Sequence, residues 1–388
     1  MFSSLVSEIT GTTNRLYLQR DELVSRGVSV VDLIKGNVTE HGITFPPDIM
    51  REILAEAADR ARVYKPDSFG QKVARDAVSK FYSESGVRVL SENIVLTPGT
   101  SVSFWYCFKL LAQPGDEILC PCPSYPLFDT IAQLCGINLV TYPLDETRDW
   151  AIDLDSLEES INEKTRALVL ISPHNPTGMV ADDEQICRLA YIAVRHELPI
   201  ISDEVFSDFL FGVKQYPRIS QTNAPLVFTL NGFSKTFALP GMKLGWIAVS
   251  GEQSAVARSL SALEMISDTF LPVSEISQFA APMIFDRGRD FRKQYVSTIA
   301  QCRDAAVGAL DILKFSATRG GFYLTIPIDR DEDETTMQLL EQENILVHPG
   351  YFYDIDGRHI VTTFIHNPDE VRHHFETIAR FLHSVNAT

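Results

Sequence analysis

Three short stretches of this chain end in groups able to do polar chemistry, and each directly follows an apolar run. Ser172-Pro173-His174-Asn175-Pro176-Thr177-Gly178 follows the run at 167–171. Asp203-Glu204 closes the run at 199–201, and Asn231-Gly232-Phe233-Ser234-Lys235 follows the run at 226–230. Taken singly, each has a plain structural reading: Asn-Pro and Thr-Gly punctuate turns, terminal acids face water, and a lone lysine is solvated. Taken together and in order, they present an amide, a carboxylate and a lysine to one edge of one sheet. Those groups suit an aldehyde cofactor built on a pyridine ring. The amine condenses with the aldehyde and shuttles protons at the substrate α-carbon. The carboxylate keeps the ring nitrogen protonated, so that the ring accepts electrons, and the amide donates to the ring oxygen.

The elements that must position these groups are legible as an alternation. Runs rich in β-branched residues at 93–96, 117–120, 138–142, 167–171, 199–201, 226–230 and 246–249 read as seven strands. Helix-like stretches separate them, such as 183–196, where Ile186, Leu189, Ala190, Ala193 and Val194 keep helical spacing. Strand and helix in alternation predict an α/β fold, a mostly parallel seven-stranded sheet wrapped by helices. Ligands of such sheets collect at the carboxyl ends of the strands. From about residue 291 the pattern changes to a long helix reaching 313, strands at 320–324 and 360–364, and a final helix at 369–385. A strand at 30–34, ending at Gly36, should pack the N-terminal segment against this part. The expected division is a large domain over 46–288 and a smaller α+β domain made of 1–45 and 289–388.

Composition narrows the partners. A formal charge of −17 over 388 residues disfavours nucleic acid and anionic membranes, which would repel the chain. No apolar run approaches the roughly 20 residues that span a bilayer, and the opening MFSSLVSEITGTTNR lacks the basic-then-apolar order of a secretory signal. Six scattered cysteines, with Cys120 and Cys122 lacking a second ligand pair for zinc, read as unpaired thiols in a reducing, cytoplasmic setting.

Jointly, the three motifs, in this order and at this spacing, resemble those of the class I/II aminotransferases, the aspartate-aminotransferase-like enzymes of fold type I. The likeness runs from about residue 30 to the final helix and includes Pro240-Gly241-Met242-Lys243-Leu244-Gly245. It implies pyridoxal 5'-phosphate held as a Schiff base by Lys235, with Asp203 on the pyridine nitrogen and Asn175 on the ring oxygen. It implies a phosphate cradle at Gly99-Thr100-Ser101, where a strand turns into a helix and free N–H groups favour an anion, aided by Ser234 and Lys243. Tyr125 would stack on the ring, and Tyr64 would reach the phosphate of a neighbouring subunit, making the active unit a homodimer. The substrates implied are a small amino donor and a keto acceptor.

The chain departs from that pattern at three positions. Phe206 stands where the family has a tyrosine that donates to the ring oxygen, so the protonated linkage should persist to higher pH than in tyrosine-bearing relatives. Lys243 replaces a frequent arginine, keeping the charge without the bidentate fork. Val361, in His359-Ile360-Val361-Thr362-Thr363-Phe364, stands where the family carries the arginine that binds a substrate carboxylate. Arg358, Arg319 and His359 are candidates to replace it, with Gly36 a further substrate-side candidate. Transamination is the leading expectation. A lyase, decarboxylase or oxidase would use the same carbanion chemistry, and a non-catalytic sensor is the third reading.

Overall fold

The computed structural model describes residues 14–384 apart from residues 126 and 314; expectations for 1–13, Pro126 and 385 fall outside them. Among the described residues, thirteen strands form three sheets. They are β1 (Val31–Asp32), β2 (Ile94–Thr97), β3 (Glu117–Cys122), β4 (Asn138–Asp145), β5 (Ala151–Ile152), β6 (Thr165–Ile171), β7 (Ile200–Asp203), β8 (Leu226–Gly232), β9 (Gly245–Gly251), β10 (Tyr323–Pro327), β11 (Ile345–Leu346), β12 (His348–Pro349) and β13 (His359–Thr363).

The large sheet runs β2-β9-β8-β7-β6-β3-β4-β5. All seven expected strands are in it, and the two-residue β5 adds an eighth at one edge, antiparallel to β4. β3, β4, β6, β7 and β8 pair in parallel, whereas β9 runs antiparallel to both its neighbours. The central strands are apolar throughout because both faces are covered. Along β6, Leu168 and Leu170 enter the core that also takes Ile186 and Leu189, while Val169 and Ile171 enter the core of Phe104, Phe108 and Leu263 on the other face.

The helix Asp183–Arg195 begins at a capping box formed by Asp182 and Gln185 and buries Ile186, Leu189, Ala190 and Ala193. Val194 is left exposed, and Ile192 takes the buried position instead. Two residues so close in sequence lie on different sides of a helix, so the apolar stripe admits only one.

The remaining strands make a three-stranded antiparallel sheet, β10-β13-β12, and a parallel pair, β1-β11. Helices Arg289–Ala309 and Pro368–Ser384 pack against each other beside them. The N-terminal helix Arg15–Ser25 sends Leu16 and Leu23 into a cluster with Leu340 and Leu346. The strand expected at 30–34 is shortened to Val31–Asp32, tied to Ile345 and Leu346. No helix among the described residues is long and apolar enough to cross a membrane.

Candidate active site

Parallel registry builds the site. Ile171 pairs with Asp203, and Asp203 with Leu230, so β6 and β7 end level and β8 runs on to Gly232 at the same edge. The Asn175 loop leaves β6 there, Asp203 closes β7, and Lys235 sits in the helical turn Phe233–Thr236 just past β8. Thr100, Ser101, Tyr125, Asn175, Asp203, Phe206 and Lys235 line one cavity of about 200 Å³, together with Phe104, Leu127, Phe128, Ile171, Val205 and Tyr323. Lys235 is the one basic side chain among the described lining residues.

At one end, the cavity meets the first turn of helix Thr100–Leu111, which Gly99 opens at φ 129°, a backbone conformation that side chains disfavour. The free N–H groups of that turn and the helix dipole attract an anion. Lys243 stands two residues before Gly245, which pairs with Thr97 and leaves only 3.0 Å between an added Cβ and the Gly99 Cα. Lys243 therefore lies beside the turn; its side chain is exposed and does not line the cavity, nor does the half-buried Ser234.

Burial works on both ionisable groups. It pushes the Asp203 carboxyl up to about 6, against the N–H of Val205 that donates to its Oδ1 at 3.0 Å. It pushes the Lys235 ammonium down to about 8, and Nζ donates to the Gly36 carbonyl at 2.6 Å. Rings of Phe206 and Phe322 lie 5.5 and 5.4 Å from Nζ. A desolvated amine with a depressed pKa is the form that attacks a carbonyl near neutral pH.

The residues present fit a pyridine aldehyde phosphate. Asn175 lines the cavity, and its Oδ1 is buried with no hydrogen-bond partner among the described residues. Its Nδ2 end carries the two N–H donors, one of which a ring oxygen would take. A buried carboxylate gains from a nearby cation such as a protonated ring nitrogen. The helix N-terminus supplies an anion site, and the lysine a nucleophile.

Other sequence candidates are placed elsewhere. Arg358 donates to the Asp329 carbonyl at 2.9 Å from an exposed position. Arg319 is also exposed, and only its backbone is engaged, with Gly178 and Phe211. His359 is buried with Nε2 2.9 Å from Glu146 and its ring edge-on to Trp150. None of the three lines the cavity, and Val361 itself is buried in β13. Tyr64 is 71% exposed and borders a separate cleft with Pro66, Asp67 and Leu271.

In the sequence, Tyr323 reads only as a strand residue. The signal that could have found it is the glycine pair before it, Gly320-Gly321: a Cβ at Gly320 would stand 2.6 Å from Pro173, and one at Gly178, at φ 68°, would collide with Thr318. Such contacts press the Asn175 loop onto the start of β10.

The sequence profile for aminotransferase class I and II matches residues 28–378. The chain belongs to that family and is an aminotransferase. It is 28% identical over 378 residues to the glutamate-pyruvate aminotransferase AlaA of Escherichia coli, covering 93% of this chain and 92% of that protein. A tyrosine aminotransferase of Dictyostelium discoideum is 28% identical over 307 residues, covering 75% and 74%. The crystal structure of an aminotransferase from Escherichia coli superposes with a TM-score of 0.88 at 26% identity, covering 99% and 98%. The alanine aminotransferase from Pyrococcus furiosus shares the fold at a TM-score of 0.91 and 24% identity, covering 99% and 100%.

Proposed function

We propose that this aminotransferase works through pyridoxal 5'-phosphate carried on Lys235, moving an amino group from a small donor to a keto acceptor. The observation that carries this reading is the ending of β6, β7 and β8 at one edge of the sheet, which gathers Asn175, Asp203 and Lys235 around one cavity. When bound, the cofactor supplies an electrophilic aldehyde and a ring that takes up the electron pair left on the substrate carbon. Asp203 holds a proton at the ring nitrogen, and Asn175 donates to the ring oxygen. Lys235 Nζ would hold the cofactor and, as a free amine, would move a proton to and from the α-carbon of the substrate. The turn Gly99-Thr100-Ser101 holds the phosphate, with Ser234 and Lys243 adding a hydroxyl and a charge from beside it. Tyr125, at the cavity wall, covers the ring.

Tyr64 projects from this chain and does not border its own cavity, which suits a reach to the site of a second copy in a homodimer. We divide the chain into a large domain over 46–288, holding every strand of the large sheet, and a small one formed by 1–45 and 289–388. The unpaired state of all six cysteines fits a reducing, cytoplasmic compartment.

The substrate side lacks a guanidinium, since Val361 occupies the expected place and no arginine lines the cavity among the described residues. Amines with no carboxylate therefore belong in the screen of donors. The test is a half-reaction with a panel of amino donors. Conversion of the cofactor to its amine form, with the keto product in equal amount, supports transamination. Ammonia release with no acceptor present supports the lyase reading instead.

A further inference from the structure

We propose that Tyr323 supplies the ring-oxygen hydrogen bond that Phe206 cannot, reaching the cofactor from the small sheet rather than from the strand end beside Asp203. This inference rests on the function proposed above.

The placement of Tyr323 comes from strand periodicity. Tyr323 and Thr325 share one face of β10. Thr325 Oγ1 donates to the Pro176 carbonyl at 3.2 Å, which clamps that face onto the Asn175 loop. Tyr323 therefore meets the same loop two residues earlier, and its hydroxyl lies against the Asn175 amide. The far side is fixed by Gly36. A Cβ built there would stand 2.8 Å from the Tyr323 hydroxyl and 3.3 Å from Lys235 Nζ, so phenol and amine both close on the Gly36 backbone. Tyr323 is 7% exposed, whereas Tyr125, the other phenol at the cavity, is 41% exposed.

Phe206 stands edge-on to Tyr323, with ring centroids 6.2 Å apart and planes at 85°. The ring that has lost its hydroxyl thus packs against one that kept it. Burial also raises the Tyr323 phenol well above the usual range, so it stays protonated and remains a donor. A donor to a phenolate-like oxygen stabilises its negative charge and thereby lowers the proton affinity of the linked nitrogen.

The test is a spectrophotometric titration of the cofactor-loaded protein from about pH 5 to about pH 10, following the visible band. Wild type, Tyr323→Phe, Phe206→Tyr and the double variant are compared, each checked by thermal melting. Loss of a hydrogen bond to a charged group corresponds to roughly 1 unit or more. Tyr323→Phe is expected to raise the midpoint by about that much, and adding Phe206→Tyr to it to bring the midpoint back. Phe206→Tyr alone should move it by less than about 0.3 unit, because the oxygen already has its donors. A Tyr323→Phe midpoint within about 0.2 unit of wild type overturns the inference. Should Tyr323→Phe not load, a fall of about 1 unit in Phe206→Tyr alone overturns it equally well. Absence of any visible band in loaded wild type is a different failure, that of the proposed function.

Discussion

Replacing Gly36 by alanine sets a Cβ 2.8 Å from the Tyr323 hydroxyl, where ordinary contact begins at 3.4 Å. The hydroxyl must retreat by about 0.6 Å, the difference between those two distances. It is the far end of a side chain, and Gly36 has no left-handed φ for alanine to strain. The fold should therefore tolerate the change, and the stiffer unfolded chain adds roughly 0.4–1 kcal/mol of stability. The chemistry should not tolerate it. The Gly36 carbonyl accepts from Lys235 Nζ, and the new methyl stands 3.3 Å from that atom. Misplacing reacting groups by about 1 Å costs on the order of 100-fold, and one lost hydrogen bond to a charge costs ~1.5–3 kcal/mol. A fall in kcat/KM of roughly 10- to 100-fold follows, with the melting temperature held to within about 2 °C. The assay is a stopped-flow half-reaction with the best donor of the panel, paired with a thermal melt. Wild-type kcat/KM in a folded Gly36→Ala protein would refute the reasoning. So would a melting temperature lowered by about 10 °C, since the defect would then lie in the fold.

Further outcomes follow from buried charges and thiols. In the cofactor-free protein, burial raises Asp203 from 3.8 to about 6. The native state then keeps a proton that the unfolded chain has lost. Stability from this group is present below about pH 4 and is lost as pH rises through about 6, by ~3 kcal/mol at most. Asp203→Asn should flatten that window in urea unfolding at pH values on either side of it; an unchanged slope would count against the burial argument. Arg218 and Glu204 form a buried ion pair, and neither Glu204 oxygen has a hydrogen-bond partner besides that contact. Arg218→Met alone should cost ~3–5 kcal/mol, while adding Glu204→Gln should recover most of it; equal losses in both proteins would sink this. Thiol labelling of native protein should modify exposed Cys187 first and leave buried Cys107 and Cys120 untouched until unfolding. Rapid native labelling of Cys107 would contradict the packing described.

Asn175, Asp203 and Lys235 were legible because neighbouring parallel strands end at the same edge, so a polar residue just past an apolar run maps there. The alternation that showed those strands also yielded the fold class. The substrate side was not legible, because it depends on how the small sheet meets the large one. The pairing of Tyr323 with Thr363 and the contact of Thr325 with Pro176 turn Tyr323 toward the cavity, and no spacing within 320–364 encodes that. His359 shares strand parity with Val361, yet Glu146 and Trp150 come from a distant hairpin and satisfy it. Tyr64 is exposed in the single chain, and its expected role needs a surface that one sequence does not display.

Covalent attachment at Lys235 is the claim on which the account turns. Purified protein incubated with pyridoxal 5'-phosphate, reduced with borohydride and digested should yield one modified peptide carrying the adduct on Lys235, with none in Lys235→Ala. An unmodified Lys235, or an adduct distributed over surface lysines alike in both proteins, would contradict it.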